Sequence, residues 1–361
     1  MSADLFHRKL NKYEWSESAP AKSVLPHAGE LIREVLGGAL ACVEKRVYLC
    51  GGYDPRTGRG LSQLAEFDFS TKLWSKGPSL PERIRDAAAV AFGDYCLVFG
   101  GWNDEAYSKK LWLLAPRSPD TTNTSGKETM SSSWTLIPPA GPAPSARVCH
   151  GMVLGTAGDE EGAAPSPVVY LFGGFNGKSR LNDVWRLRLG TLVDQGVAEW
   201  ELVEVKEGTP PSPRDDAAVA FDLVGERLLV FGGFASSLQS DLHVLSLRGG
   251  ENRWMCQPCI SVPSRRQGCA AAVSSGCLVV CLGEDEKGPL PQILQLSLTD
   301  FKWSVLSFDK DEFVGRSGCV GCVSEKGKRI VLFGGGILPK VHSSLLELEL
   351  EKADSGGARK K

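Results

Sequence analysis

Short apolar runs that end in a glycine pair punctuate the chain. Val47 to Gly52, Cys96 to Gly101, Val168 to Gly174, Leu228 to Gly233 and Ile330 to Gly335 share this form. In a sixth run, Leu278 to Gly283, Leu282 takes the place of the first glycine. Between the second glycines the intervals are 49, 73, 59, 50 and 52 residues. Self-similarity at about 50 residues marks an array of repeated supersecondary units rather than a string of unrelated domains.

Two further signals keep step. An arginine precedes each unit, at Arg33, Arg85, Arg147, Arg214, Arg266 and Arg316, and a tryptophan follows the glycines at Trp74, Trp134, Trp200, Trp254 and Trp303. The sixth unit ends in Leu345 to Leu350 without a tryptophan, while Trp15 stands alone near the start of the chain. Each unit thus offers an apolar stretch after the arginine, a β-rich stretch into the glycines, an alternating stretch such as Leu242 to Leu247, and the tryptophan stretch. Four short strands separated by Gly, Pro and Ser turns are predicted, an all-β pattern that fits a propeller blade. A large tryptophan on the outer strand is suited to covering the seam between blades.

On these residues the sequence resembles the kelch-repeat family, of the galactose-oxidase type, over roughly residues 10 to 350. Phe172-Gly173-Gly174 followed by Leu181-Asn182-Asp183-Val184-Trp185 carries the likeness best, with Pro144-Ser145-Ala146-Arg147 and Pro211-Ser212-Pro213-Arg214 before the first strands. The resemblance implies an all-β, six-bladed propeller with four-stranded blades. Trp15 would supply the outermost strand of the last blade, so that an N-terminal strand closes the ring. Closure removes edge strands that invite aggregation. The domain reading is a tail at 1–9, one propeller at 10–350 and a disordered tail at 351–361. Pro116 to Ser133 lengthen the 73-residue interval as a flexible loop, and Gly155 to Pro167 are assigned to the 59-residue interval as a long turn in blade three.

Composition narrows the function. Lys plus Arg number 41 and Asp plus Glu 43, a net charge of −2, which lacks the basic excess of a general nucleic-acid binder. No apolar run is long enough for a membrane helix, so no membrane insertion is expected. The first residues do not read as a secretory signal, and eleven cysteines, an odd count in a chain this long, suit free thiols in the cytoplasm. Cys256-Gln257-Pro258-Cys259 and Cys319-Val320-Gly321-Cys322 lack partners at zinc-site spacing, so no metal or other cofactor is expected. His150 reads as a packed strand residue, and no catalytic residue is assigned.

Two candidate binding features remain. If Arg33, Arg85, Arg147, Arg214, Arg266 and Arg316 ring one channel mouth, they suit an acidic peptide or a C-terminal carboxylate. Against this, each could tie neighbouring blades together, with Asp86, Asp215 and Asp216 neutralising them. The loops after the glycines open with Tyr53, Trp102, Phe175 and Phe234, and aromatics beside cations suit a protein-binding rim. The favoured function is a scaffold or adaptor module, monomeric within a larger complex. The alternative is a sugar-acid epimerase or mutarotase that grips an anionic substrate with the arginine ring.

Overall fold

The computed structural model describes residues 6–13, 35–43, 45–115, 133–158, 165–306, 315, 317–323, 329–337, 340–341 and 345–352. Apolar runs flanked by turn residues become strands, most of them four or five residues long. Blade one is Ala39–Cys42, Arg46–Cys50, Leu64–Asp68 and Leu73–Lys76. Blade two is Ala88–Phe92, Tyr95–Phe99, Leu111–Leu114 and Trp134–Ile137. Blade three is Gly151–Ala157, Ser166–Phe175, Arg180–Arg188 and Trp200–Leu202. Blade four is Ala218–Asp222, Arg227–Phe231, Leu242–Ser246 and Arg253–Gln257, and blade five is Ala270–Ser274, Cys277–Cys281, Ile293–Ser297 and Trp303–Leu306. Each is an antiparallel meander from an inner to an outer strand, and the inner strands of consecutive blades lie side by side as in a β-propeller.

A terminal sheet differs from these five. It runs Phe6–Tyr13, Leu345–Lys352, Arg329–Ile337, Ser317–Val323 from outside to inside, with Lys340–Val341 paired to Arg329–Ile337 as a fifth strand. Where six equal blades are predicted, the structure thus has five four-stranded blades and one five-stranded sheet. The outermost strand is N-terminal, as expected, but it spans Phe6–Tyr13 and begins inside the segment read as a tail. Trp15 lies outside the described residues. The last strand likewise reaches Lys352, into the segment read as disordered.

The tryptophans cover the seams. Trp200 meets Phe99 of the preceding blade at 5.3 Å between ring centroids, Trp254 meets Phe172 at 6.1 Å, Trp303 meets Phe231 at 4.7 Å, and Trp74 meets Phe333 of the terminal sheet at 5.3 Å. Each partner is the phenylalanine just before a glycine pair. In blade one Cys50 takes that place, and the facing Trp134 turns its indole N–H to the Pro78 carbonyl instead.

The glycine pairs stitch the same seams with backbone. The N–H groups of Gly52, Gly101, Gly174 and Gly233 donate to the carbonyls of Ile84, Arg147, Arg214 and Arg266 in the next blade, at 2.8–2.9 Å. A Cβ on Gly51 would sit 2.3 Å from the Ile84 carbonyl oxygen, and one on Gly100 2.6 Å from that of Arg147, so side chains are excluded there. Leu282 keeps the positive φ of +60° without being glycine. It is buried against Ala270, Ala272 and Ile330, and that burial offsets a backbone cost of about 1–3 kcal/mol.

The long intervals need one correction. Gly155 to Pro167 precede Gly174, so they lengthen the 73-residue interval, and pairing continues into them as far as Ala157 opposite Ser166. Residues 116–132 lie outside the described residues. The 59-residue interval is instead stretched by an α-helix, Leu189–Gln195, between the third and fourth strands of blade three; its Leu189 and Leu192 are buried and Gly196 ends it at φ +68°. Among the described residues no helix is long and apolar enough to cross a membrane.

Candidate functional site

Three of the six arginines hold the fold. Arg147 and Arg214 are 0% and 1% exposed. Arg147 makes a two-pronged bond to Asp183 at 2.7 and 2.8 Å and donates to the Gly173 carbonyl and to Ser145. Arg214 repeats this with Asp241 at 2.6 and 3.0 Å, the Gly232 carbonyl and Ser212. Burial raises the Asp241 carboxyl, but bonds from His243 and Arg214 outweigh it and hold the group well below the ordinary carboxylate range. Arg266 keeps the geometry with a neutral partner, Gln292, together with Ser264 and the Leu282 carbonyl.

The remaining arginines do not complete a ring. The carbonyl that receives the glycine stitch in blade two belongs to Ile84, so Ile84 occupies the position of Arg147 and Arg214. Arg85 falls one residue later, with its guanidinium 5.3 Å from the Tyr53 ring centre. In blade one the same position is Val35, since Leu36 bridges Tyr53 as Asp215 bridges Phe234. Arg33 and Arg316 lie outside the described residues. Of the two readings of these arginines, structural ties or an anion-gripping ring, the described residues support structural clamps at three positions and place apolar residues at two. The neutralising role given to Asp86, Asp215 and Asp216 falls to Asp183 for Arg147 and Asp241 for Arg214, while Arg266 is held by the uncharged Gln292.

The acids beside the arginines are placed differently. Gly37, Asp86, Cys149, Asp216 and Gly268 occupy one equivalent position at the start of the inner strands, all left-handed with φ between 50° and 63°. Their backbones form a belt: the N–H of Asp86 donates to Gly37 O at 2.7 Å, Cys149 to Asp86 O at 3.0 Å, Asp216 to Cys149 O at 2.9 Å, and Gly268 to Asp216 O at 3.0 Å. The belt rims a central channel of about 1560 Å³, lined below by Ala39, Ala41, Ala89 and Ala91.

Charge in this rim is unbalanced. Burial, with Asp215 and Asp86 nearby, pushes the Asp216 carboxyl up to about 7, although a Cys149 hydrogen bond opposes this. Burial also raises Asp86, against Arg85, and lifts the Cys149 thiol well above its usual range. Next to the belt, His150 packs edge-on to Phe99 at 5.6 Å; burial and Arg147 push it down to about 3, so it stays neutral.

Above the belt stand the aromatics. Tyr53, Trp102, Phe175 and Phe234 each bridge the residue just before a belt position or its equivalent (Leu36, Arg85, Val148 and Asp215), and all four are half-buried. Tyr107, which no repeat signal in the sequence marks, joins Trp102 at 4.8 Å and Phe175 at 6.0 Å. Arg180 lies 4.4 Å from the Phe234 ring centre and pairs with Asp215 at 3.0 Å. The four predicted rim residues thus share one face around the channel mouth.

Comparison with known proteins agrees with this architecture. The KLHDC2/KLHL20/DRC7 Kelch-repeats domain matches residues 127–335, and the Kelch motif matches residues 36–81. Kelch domain-containing protein 3 of Bos taurus is 26% identical over 272 residues, 67% of this chain and 60% of that protein. Host cell factor 2 of Homo sapiens is 30% identical over 212 residues, 54% of this chain and 23% of that protein. The dynein alpha chain of the Chlamydomonas reinhardtii flagellar outer arm is 28% identical over 227 residues, 58% of this chain and 4% of that protein. The chain spans less than two thirds of the length of these relatives. With repeat, seam chemistry and family match in agreement, the chain belongs to the kelch-repeat family of β-propellers.

Proposed function

We propose that the protein is an interaction module that binds a partner protein on the loop face around the channel mouth. The observation that carries this is the aromatic collar: Tyr53, Trp102, Phe175 and Phe234 at one register in four consecutive blades, half-exposed and borne on loops of a rigid ring. Aromatic anchors at the centre of a rigid surface supply most of the energy in protein recognition. Relatives as different as a host cell factor and a flagellar dynein chain match more than half of this chain, which supports a recognition surface over one conserved chemistry. The terminal sheet is read as the sixth blade, because its inner strand lies between those of blades five and one. The free thiols among the described residues support the cytoplasm as the compartment. An epimerase or mutarotase finds less support, since Arg147, Arg214 and Arg266 are closed to any substrate.

Affinity purification with the Trp102→Ala/Phe175→Ala variant tests the assignment. Partners are expected to be lost with it and kept with Val224→Ser, which alters an exposed turn at the other end of the channel. Retention of every partner by the folded double variant would move the interface elsewhere.

A further inference from the structure

Arg147, Arg214 and Arg266 are buried, and acidic groups face the mouth among the described residues. Asp86 and Asp216 stand at belt positions, with Asp215 and Glu284 beside them. The nearby arginines among the described residues are engaged. Arg180 is bound to Asp215 and stacked on Phe234, and Arg85 lies over Tyr53. The Asp86 carboxyl accepts no hydrogen bond among the described residues, and the Cys149 thiol bonds the Asp216 carboxyl. Two partly buried carboxylates facing one channel without a guanidinium bound to either is a costly arrangement when empty, because each disfavours ionisation of the other. The equivalent positions on the other side are glycines: the Asp86 carboxylate occupies the room left at Gly37, Gly268 opens onto free space, and the channel below is lined by alanines. Above lies the Trp102, Tyr107 and Phe175 cluster, whose ring faces attract cations.

We propose that the aromatic-collared mouth receives a lysine or arginine side chain from an extended segment of the partner protein, its charge held between Asp86 and Asp216 and its aliphatic stem against the collar. This rests on the interaction face proposed above and gives it a sign: the partner segment is basic, where the arginine motif alone pointed to an acidic one. A basic side chain suits the site in both parts, since its methylenes pack on apolar rings while its head reaches the carboxylates. Asn replaces Asp at either position without backbone strain, because Asn tolerates φ near +55° as Asp does.

The test is selection of binders from a random dodecapeptide library by the intact chain, followed by affinity measurement of the selected peptides. Peptides with one fixed Lys or Arg are expected. Asp86→Asn/Asp216→Asn should weaken them by roughly 30-fold or more, since a desolvated charge pair is broken. Replacement of the basic residue by norleucine should cost the wild-type protein as much and the double variant little. Peptides without a fixed basic residue, or peptides indifferent to the double variant, would overturn the cationic pocket; if they still required Trp102, the interaction face would stand. Failure to obtain any Trp102-dependent peptide would overturn both.

Discussion

Removing the acid from one buried clamp gives the sharpest check on the arginine reading. Arg214 is 1% exposed and makes five hydrogen bonds: two to Asp241, two to Ser212 and one to the Gly232 carbonyl. Asp241→Ala removes two of the five and the carboxylate paired with it, leaving a buried guanidinium without its counter-charge. Breaking a buried pair in this way costs about 3–5 kcal/mol. At about 2.1 cal/mol/K of unfolding entropy per residue, the roughly 280 described residues imply a Tm lowered by about 5–8 °C for that loss. The protein contains its own control, because blades one and two place Val35 and Ile84 where the clamp arginine stands. The double variant Arg214→Ile/Asp241→Gln should therefore be more stable than Asp241→Ala alone, although it removes more bonds. Calorimetry or urea unfolding of the three proteins decides the matter. A loss below about 1 kcal/mol for Asp241→Ala, in the range of an exposed pair, would refute the clamp. So would a double variant less stable than the single one.

Other consequences are as direct. Asp216 is raised in the folded protein to about 7, so the native state holds more protons than the unfolded chain between pH 4 and 7. Its contribution is present below pH 4 and lost as pH rises through 7; Asp216→Asn should match wild type at pH 4 and exceed it at pH 8, by at most about 4 kcal/mol, in urea titrations. Equal stability at pH 8 would place that carboxyl in water. Gly58→Ala, at φ +67° in open space, should cost about 1 kcal/mol, whereas Gly100→Ala also drives its Cβ to 2.6 Å from the Arg147 carbonyl oxygen and should cost about 3 kcal/mol or more. Trp303→Ala, 4% exposed and packed at a tilt against Phe231, should cost about 3–5 kcal/mol by thermal melt, and Trp134→Ala, which faces Cys50, clearly less.

The blades were legible because their signals are local and repeated: a glycine pair demanded by a carbonyl 2.3–2.8 Å from the missing Cβ, and a tryptophan demanded by the seam. The collar was legible for the same reason, since its aromatics follow the glycines directly. The two readings of the arginines could not be separated in the sequence, because a one-residue slip, Arg85 for Ile84, is invisible until the stitch to Gly52 fixes the register. A readable signal was nonetheless present: Asn182-Asp183 and Ser240-Asp241 follow their glycine pairs in the two units whose arginines they bind. The belt left no trace of its own, because two glycines, two aspartates and a cysteine share no composition, only a left-handed backbone.

The pairing of Phe6–Tyr13 with Leu345–Lys352 also sets an order in time. Tyr13 and Leu345 are 332 positions apart, so the first strand leaves the ribosome long before its partner. At about 5–20 residues per second the wait is about 17–66 s. Five blades can form during synthesis, each from neighbouring strands, but the terminal sheet can be completed only when translation reaches the last strand. Until then the nascent ring carries an unpaired strand at one end and an open edge at the other, a period in which chaperones and misassembly compete for the same surfaces.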